Sequence, residues 1–419
     1  MTMPTFGLKA GISVLDQGLI SGAGFILHIL LARWLLTNDY GVFAVVFSIF
    51  LFLSSFHNAL ILEPMSVLAS NHNPEQLRDY ITHSIWLHFF LSVGLSLLLL
   101  FSGFGLILLQ NPMGEPLIGL AFAGPLILLF WLLRRACYLD GRAHLAMHAS
   151  LLYALFLFVG LWAMQEVEAA SPLTAILALG ISSAAASIAL IWLLGINVKT
   201  LLFGCSRAVL TSLFSQHWTY GKWVVGSSFV HWAGTAGYIP LIGSLVGFSE
   251  AGALRAIQNL ILPLQQILAG LANLWLPLNA KLLIEQGKDS LKANVYKMIN
   301  GTLTFSVIYL IVIVSFSKPI ITLLYGSGRY DQFEWLNYYL AIFAIIGVIS
   351  QGFSIALKSL QRPDCVFYSQ AGTAVITATV GSFLVWTLDL EGAAIGLNVS
   401  ALMGTLILFN RFQFSFKKA

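Results

Sequence analysis

Polar residues break this chain at short, regular intervals and leave twelve long apolar runs between them. In the first half the runs lie at about 11–36, 40–63, 81–109, 116–136, 144–165 and 172–195. In the second half they lie at about 221–245, 250–277, 299–325, 333–357, 364–388 and 392–412. Each is about as long as the roughly 20 apolar residues a helix needs to cross a bilayer, and longer than the ~9–11 residues of a barrel strand. Backbone in lipid must satisfy its own hydrogen bonds, so the runs are expected to be helices. The pattern predicts an all-α polytopic membrane protein of two six-helix bundles, 1–195 and 221–419. A cytoplasmic amphipathic linker over 196–220 (VKTLLFGCSRAVLTSLFSQHW and its flanks) would join them.

Composition agrees. Charged residues are 9% of the chain and hydrophobic residues 58%, where a soluble domain carries about 25% charged residues. The first run is too long for a signal-peptide core and is expected to be the first span. With the N-terminus in the cytoplasm, only Arg33, Arg255, Lys318 and Arg329 of the 21 Lys and Arg residues fall at outer ends. The positive-inside rule then places both termini in the cytoplasm, and Arg134-Arg135 reads as a topology signal. The net charge of +4 reflects orientation and gives no reason to expect nucleic acid. Three cysteines without CxxC spacing are expected to be reduced thiols.

The halves carry traces of one another. Asp39-Tyr40-Gly41 opens the second run, and Glu250-Ala251-Gly252 opens the eighth, 211 positions later. Polar stripes repeat similarly. At about 100° per residue, Gln17, Ser21, Gly24 and His28 share one face of the first run. Ser227, His231, Gly234 and Tyr238 share a face of the seventh with the same spacing. A third stripe joins Arg255, Asn259, Gln266 and Asn273 in the eighth run, near Pro263. Polar groups inside a span are costly and generally face a bundle interior or a wet cavity. Ser and Gly serve equally as close helix contacts, and Arg255 is near enough to an end to snorkel. The substrate-binding candidates are therefore Gln17, His28, His231, Tyr238, Arg255, Asn259, Gln266 and Asn273. Asp16, Glu63 and His231 are candidates to carry a coupling ion. Lys222 stands at the mouth of the seventh run.

Other chemistry is thin. The chain has no HExxH, Walker loop or dinucleotide fingerprint, and its nine histidines lack metal-ligand spacing. No catalytic residue, metal or cofactor is expected, and no loop is long enough for an external catalytic domain.

The segment LLARWLLTNDYGVFAV, with its Ala-Arg, short turn and acidic-aromatic-Gly opening, resembles the first hairpin of polysaccharide transporters. Leu15-Asp16-Gln17-Gly18, Glu63-Pro64-Met65 and the turn Lys358-Ser359-Leu360-Gln361-Arg362-Pro363 resemble a bacterial subgroup of them. The resemblance is to the oligosaccharide flippase branch of the multidrug/oligosaccharidyl-lipid/polysaccharide (MOP) superfamily. It implies a V-shaped pair of six-helix lobes that moves an isoprenoid-pyrophosphate-linked glycan across the bacterial cytoplasmic membrane by alternating access. It also implies other polysaccharide assembly proteins as partners. Arg255, Lys222 and Arg33 are the cations available to the pyrophosphate. A multidrug cation antiporter of the same fold is the alternative, and it calls for an essential buried carboxylate. A membrane glycan polymerase or ligase would call for the large outer loop that this sequence lacks.

Overall fold

The computed structural model describes residues 3–69, 74–196 and 206–417, and among these it contains helices and turns but no strand. Helix α1 is Met3–Trp34 and α2 is Thr37–His57, which passes through a π-turn at Asn58–Leu62 into the short α3, Glu63–Leu68. Helices α4 (Pro74–Leu108), α5 (Gly114–Leu139), α6 (Ala143–Glu166) and α7 (Pro172–Leu193) complete the first half. The second half holds α8 (Arg207–Thr235), α9 (Tyr238–Leu245), α10 (Phe248–Asn259), α11 (Leu262–Ser315) and α12 (Ser317–Tyr325). It ends with α13 (Leu336–Ser359), α14 (Pro363–Ile376) and α15 (Ser382–Lys417).

Local chemistry sets several of these boundaries. Ser171 opens α7 with a capping box: its hydroxyl accepts from the Thr174 amide at 3.1 Å, and the Thr174 hydroxyl accepts from the Ser171 amide at 2.9 Å. Pro172 follows where its missing amide costs nothing. Pro125 sits inside α5, where a proline frees the carbonyl four residues earlier. That carbonyl, of Ala121, accepts the Ser96 hydroxyl from α4 at 2.7 Å.

Among the described residues, nine helical stretches are long and apolar enough to cross a membrane. Two of them, Leu262–Ser315 and Pro363–Phe416, are 54 residues long, about twice what one crossing needs. Each turns back on itself. Gly287 breaks α11 with φ 81°, and beyond it Asn294 donates to Asn279 at 2.8 Å. A straight helix would hold those residues roughly 22 Å apart. Asp389 breaks α15 with φ 51°, and the Thr377 hydroxyl donates to Ser400 at 3.1 Å across the fold-back. Each long stretch therefore counts for two runs, and α8 with α9 supplies the seventh. Among the described residues, twelve helical runs stand where the polar breaks predict them, in an all-α polytopic membrane protein.

The chain divides into two compact units: Met1–Leu27 with Val46–Phe229, and His28–Val45 with Val230–Ala419. The turn between α1 and α2 thus packs within the second unit. Of the stretch expected to form a linker, residues 197–205 lie outside the described residues. From Arg207 the chain is already helical, and α8 runs without a break into the seventh run.

Small residues bring helices together inside each unit. In the first, Gly180 of α7 lies so close to Ala123 of α5 that an added Cβ would stand 2.7 Å from the alanine Cβ. In the second, Leu291, Val295, Ile299, Phe353, Leu357, Leu408 and Phe412 form a buried cluster. Phe101, Trp192, Leu323 and Trp386 are instead more than 70% exposed, as side chains facing lipid would be.

Candidate functional site

The two copies of the sequence repeat meet inside the second unit. A Cβ on Gly41 would fall 1.6 Å from the Phe248 carbonyl oxygen, and one on Gly252 would fall 2.6 Å from the Thr37 carbonyl oxygen. Only glycine lets α2 and α10 start against each other this closely. The acidic residues Asp39 and Glu250 lie in the first turns of these helices, where the helix dipole favours negative charge. Two arginines tie the α1–α2 turn down further. Arg33 donates to the Leu323 carbonyl at 3.3 Å, and Arg329 donates to the Leu35 carbonyl at 2.5 Å.

Tyr40 is fully buried at this junction. Its hydroxyl oxygen lies 3.0 Å from Asn259 Nδ2 and 3.2 Å from His28 Nδ1. Arg255 Nη2 lies 3.1 Å from the other ring nitrogen, His28 Nε2. Arginine can only donate, so Nε2 is the acceptor and Nδ1 carries the proton. The chain of hydrogen bonds therefore runs from Arg255 to His28 to Tyr40, and from Asn259 to Tyr40. Tyr325 donates to the Ala256 carbonyl at 2.8 Å, and its ring meets the Tyr330 ring edge-on at 5.2 Å. Among the described residues no carboxylate pairs with the partly exposed Arg255. Asn259 Oδ1 and the Tyr330 hydroxyl are buried without a protein partner among the described residues, a condition that calls for an explanation in a native structure. The cluster combines a cation at Arg255 with an open acceptor at Asn259 Oδ1 and a hydroxyl at Tyr330, suited to an anionic or hydroxyl-bearing group.

The first unit holds a different arrangement. Asp16 is fully buried, and Arg134 of α5 reaches its Oδ2 at 2.6 Å. The Tyr138 hydroxyl donates to the same oxygen at 2.5 Å, and Ser150 of α6 donates to Oδ1. Arg134, which the sequence suggests as a mark of topology, is thus the partner of a buried carboxylate. Glu63 is half-buried at the start of α3, and Tyr220 donates to it at 3.4 Å.

The remaining candidates are spread out. Gln17 is exposed on α1 and donates to Ser21 at 3.1 Å. The seventh-run stripe divides: His231 and Gly234 border a cavity of about 250 Å³ in the second unit. Tyr238 is buried away from it, between Gly381 and Gly396, with its hydroxyl 3.0 Å from Ser400. The eighth-run stripe is also split, because α10 ends at Asn259 and α11 begins at Leu262. Gln266 is exposed, as is Lys222, and the Asn273 side chain lies outside the described residues.

Tyr40 is not among the candidates read from the sequence, although its place in the repeat marks it. Two histidine pairings between helices are likewise absent from them. His57 Nε2 lies 3.0 Å from His88 Nδ1, and both rings are buried. His217 Nδ1 donates to the Leu60 carbonyl at 2.9 Å within the π-turn, and Tyr80 lies 2.8 Å from its Nε2. No spacing along the chain signals contacts of this kind. Among the described residues no group of three His, Cys, Asp or Glu side chains is placed to hold a metal. Cys137 and Cys365 are buried free thiols, while Cys205 lies outside the described residues.

A membrane protein with this helix order and internal repeat has the architecture of the MOP transporters. The match to a multidrug resistance MATE family transporter of that superfamily, in an inward-facing conformation, has a TM-score of 0.81. It is 13% identical and covers 97% of this chain and 98% of the other. The lipid II flippase MurJ, in an inward closed conformation, matches with a TM-score of 0.72 at 13% identity, covering 97% of this chain and 87% of the other. A MOP superfamily transporter from Pyrococcus furiosus matches with a TM-score of 0.65 at 14% identity, covering 96% and 94%. No curated protein matches the sequence significantly. The model of the family described as polysaccharide biosynthesis protein matches residues 30–338, and the chain belongs to that family.

Proposed function

We propose that this protein flips a lipid-linked oligosaccharide, a polysaccharide precursor, across the bacterial cytoplasmic membrane by alternating access. The family match over residues 30–338 carries the reading, because a role in polysaccharide biosynthesis on a transporter fold calls for moving the glycan rather than building it. Arg255, without a carboxylate partner among the described residues, suits the phosphate end of an isoprenoid-pyrophosphate-linked glycan, since charge-assisted hydrogen bonds to phosphate are the strong ones. The drug-antiporter alternative needs an open carboxylate for a cation. Among the described residues the buried carboxylate is Asp16, and Arg134 already neutralises it. Asp16, Glu63 and His231 remain the groups to test for proton coupling. From the charge distribution both termini are expected in the cytoplasm, where other polysaccharide assembly proteins would meet the chain.

The test is a deletion strain assayed for lipid-linked glycan on each face of the cytoplasmic membrane. Loss of the gene should make glycan accumulate on the inner face, and the intact gene should clear it. Unchanged glycan together with increased sensitivity to cationic drugs would replace this reading with the antiporter.

A further inference from the structure

The cavity beside His231 has a lining that the Arg255 cluster does not share. It lies within the second unit, between α8, α13, α14 and α15, and measures about 250 Å³. Drug-sized ligands occupy pockets of roughly 300–1,000 Å³, so this one takes a single ring-sized group. His231, Ser350, Gln351, Ser354 and Gln370 supply polar groups, and Phe343 supplies one aromatic face. Among the described residues, Asp, Glu, Lys and Arg are absent from the lining. Lys358, which acts on His231 electrostatically, stands one helical turn beyond Ser354 and outside it.

That lining discriminates between ligand classes. A phosphate calls for arginine or lysine, and an organic cation calls for carboxylates or a cage of aromatic faces. A purely apolar group would leave the Ser350 and Ser354 hydroxyls and the Gln351 and Gln370 amide oxygens without partners, each costing about 1–3 kcal/mol if buried. A neutral polyhydroxylated ring satisfies them. The hydroxyls themselves divide into two kinds. Thr235, Ser369 and Thr373 are occupied by backbone carbonyls, of His231, Gly404 and Ser369, at 2.8, 2.8 and 3.1 Å. Ser350 and Ser354 lie one turn apart on α13, border the same cavity, and make no hydrogen bond to the other described residues. Across from them Gln370 Nε2 lies 3.4 Å from His231 Nδ1. Gln351 donates to the Leu268 carbonyl at 2.9 Å, which leaves its own oxygen as an acceptor.

We infer that this cavity is a subsite for one uncharged sugar ring of the transported glycan, with Ser350, Ser354 and Gln370 as its principal hydrogen-bonding groups. The assignment rests on the flippase reading above and adds a sugar position separate from the Arg255 cluster.

The test uses the full-length protein in lipid nanodiscs with cysteine in place of Ser354 (Ser354→Cys). Maleimide labelling of that one position is followed by peptide mass spectrometry, so the native cysteines stay in place. One probe is a short-chain isoprenoid pyrophosphate bearing a neutral N-acetylhexosamine disaccharide, and the other is the same lipid pyrophosphate without sugar. The glycosylated probe, supplied at about ten times its Kd, should slow labelling about tenfold by occupancy alone. The bare lipid pyrophosphate should leave the rate unchanged. Equal slowing by both probes would assign the cavity to the head group or tail and overturn the inference. Retention of the glycosylated probe without any slowing would overturn it while leaving the flippase reading intact, and failure to retain either probe would overturn both. As a second readout, Ser350→Leu with Ser354→Leu should fill the cavity, cutting retention of the glycosylated probe but not of the bare one. Equal retention of the glycosylated probe by this variant and the wild type would also defeat the inference.

Discussion

Helix α1 carries two polar clusters, and they are built on opposite principles. Around Asp16 a carboxylate is surrounded by Arg134, Tyr138 and Ser150, so its charge is cancelled and its oxygens are occupied. Around His28 a cation is held by neutral groups, without a carboxylate among the described residues, beside buried acceptor capacity at Asn259 that none of them fills. The first arrangement is closed in that its charge is cancelled, and Arg134 Nε is the buried donor it leaves without a partner among the described residues. The second is open and leaves charge and hydrogen bonds for something else. A buried polar residue is therefore a poor guide to function until its partners are known.

The largest effect should come from breaking the closed cluster. Arg134→Ala leaves a buried carboxylate uncompensated, which costs about 3–5 kcal/mol. Unfolding of the purified protein in detergent should show that loss, and Asp16→Asn combined with Arg134→Met should recover much of it. If Arg134→Ala were neutral, the two clusters would not differ as described. Next comes the support of the open cluster. Tyr40→Phe strands the Asn259 and His28 donors and should cost about 1–3 kcal/mol, measured in the same way. Arg255→Ala sharpens the contrast by separating stability from transport. It strands no opposite charge but takes the donor from one buried acceptor, His28 Nε2, so stability should fall by about 1–2 kcal/mol, less than at Arg134. Export should fall tenfold or more if the lost charge-assisted hydrogen bond is worth about 1.5–3 kcal/mol, and Arg255→Lys should restore part of it. An Arg255→Ala variant that exports at the wild-type rate would remove the open cluster from the mechanism. The smallest effect is expected at Tyr220→Phe, whose long bond to the half-buried Glu63 should be worth under about 0.5 kcal/mol. A larger loss of stability there would make Glu63 part of a second closed cluster.

The repeat is legible along the chain, because Asp39-Tyr40-Gly41 and Glu250-Ala251-Gly252 share spacing and side-chain type. Its consequence is not. The two glycines touch each other's helix starts, a contact between residues some two hundred positions apart that no local pattern encodes. Polar stripes are an uneven guide for a related reason. Helical periodicity says which residues share a face, but not what that face meets. His231 and Gly234 border a cavity while Tyr238, on the same stripe, is packed between glycines. The eighth-run stripe presumes one continuous helix, and the turn at Leu260 and Ile261 interrupts it.

By itself the sequence determined the class of this protein. Lipid requires helices of a certain apolar length, and that requirement is written residue by residue, so twelve runs, an all-α fold and a duplicated plan can be read directly. Only the tertiary structure decided which polar groups are spent on each other. Asp16 finds Arg134 across 118 positions and Tyr40 finds Asn259 across 219. Those pairings depend on how helices pack, and packing is settled by glycine contacts, fold-backs and side-chain shape acting together. Charge cancelled at Asp16 and left open at Arg255 is the outcome of that packing.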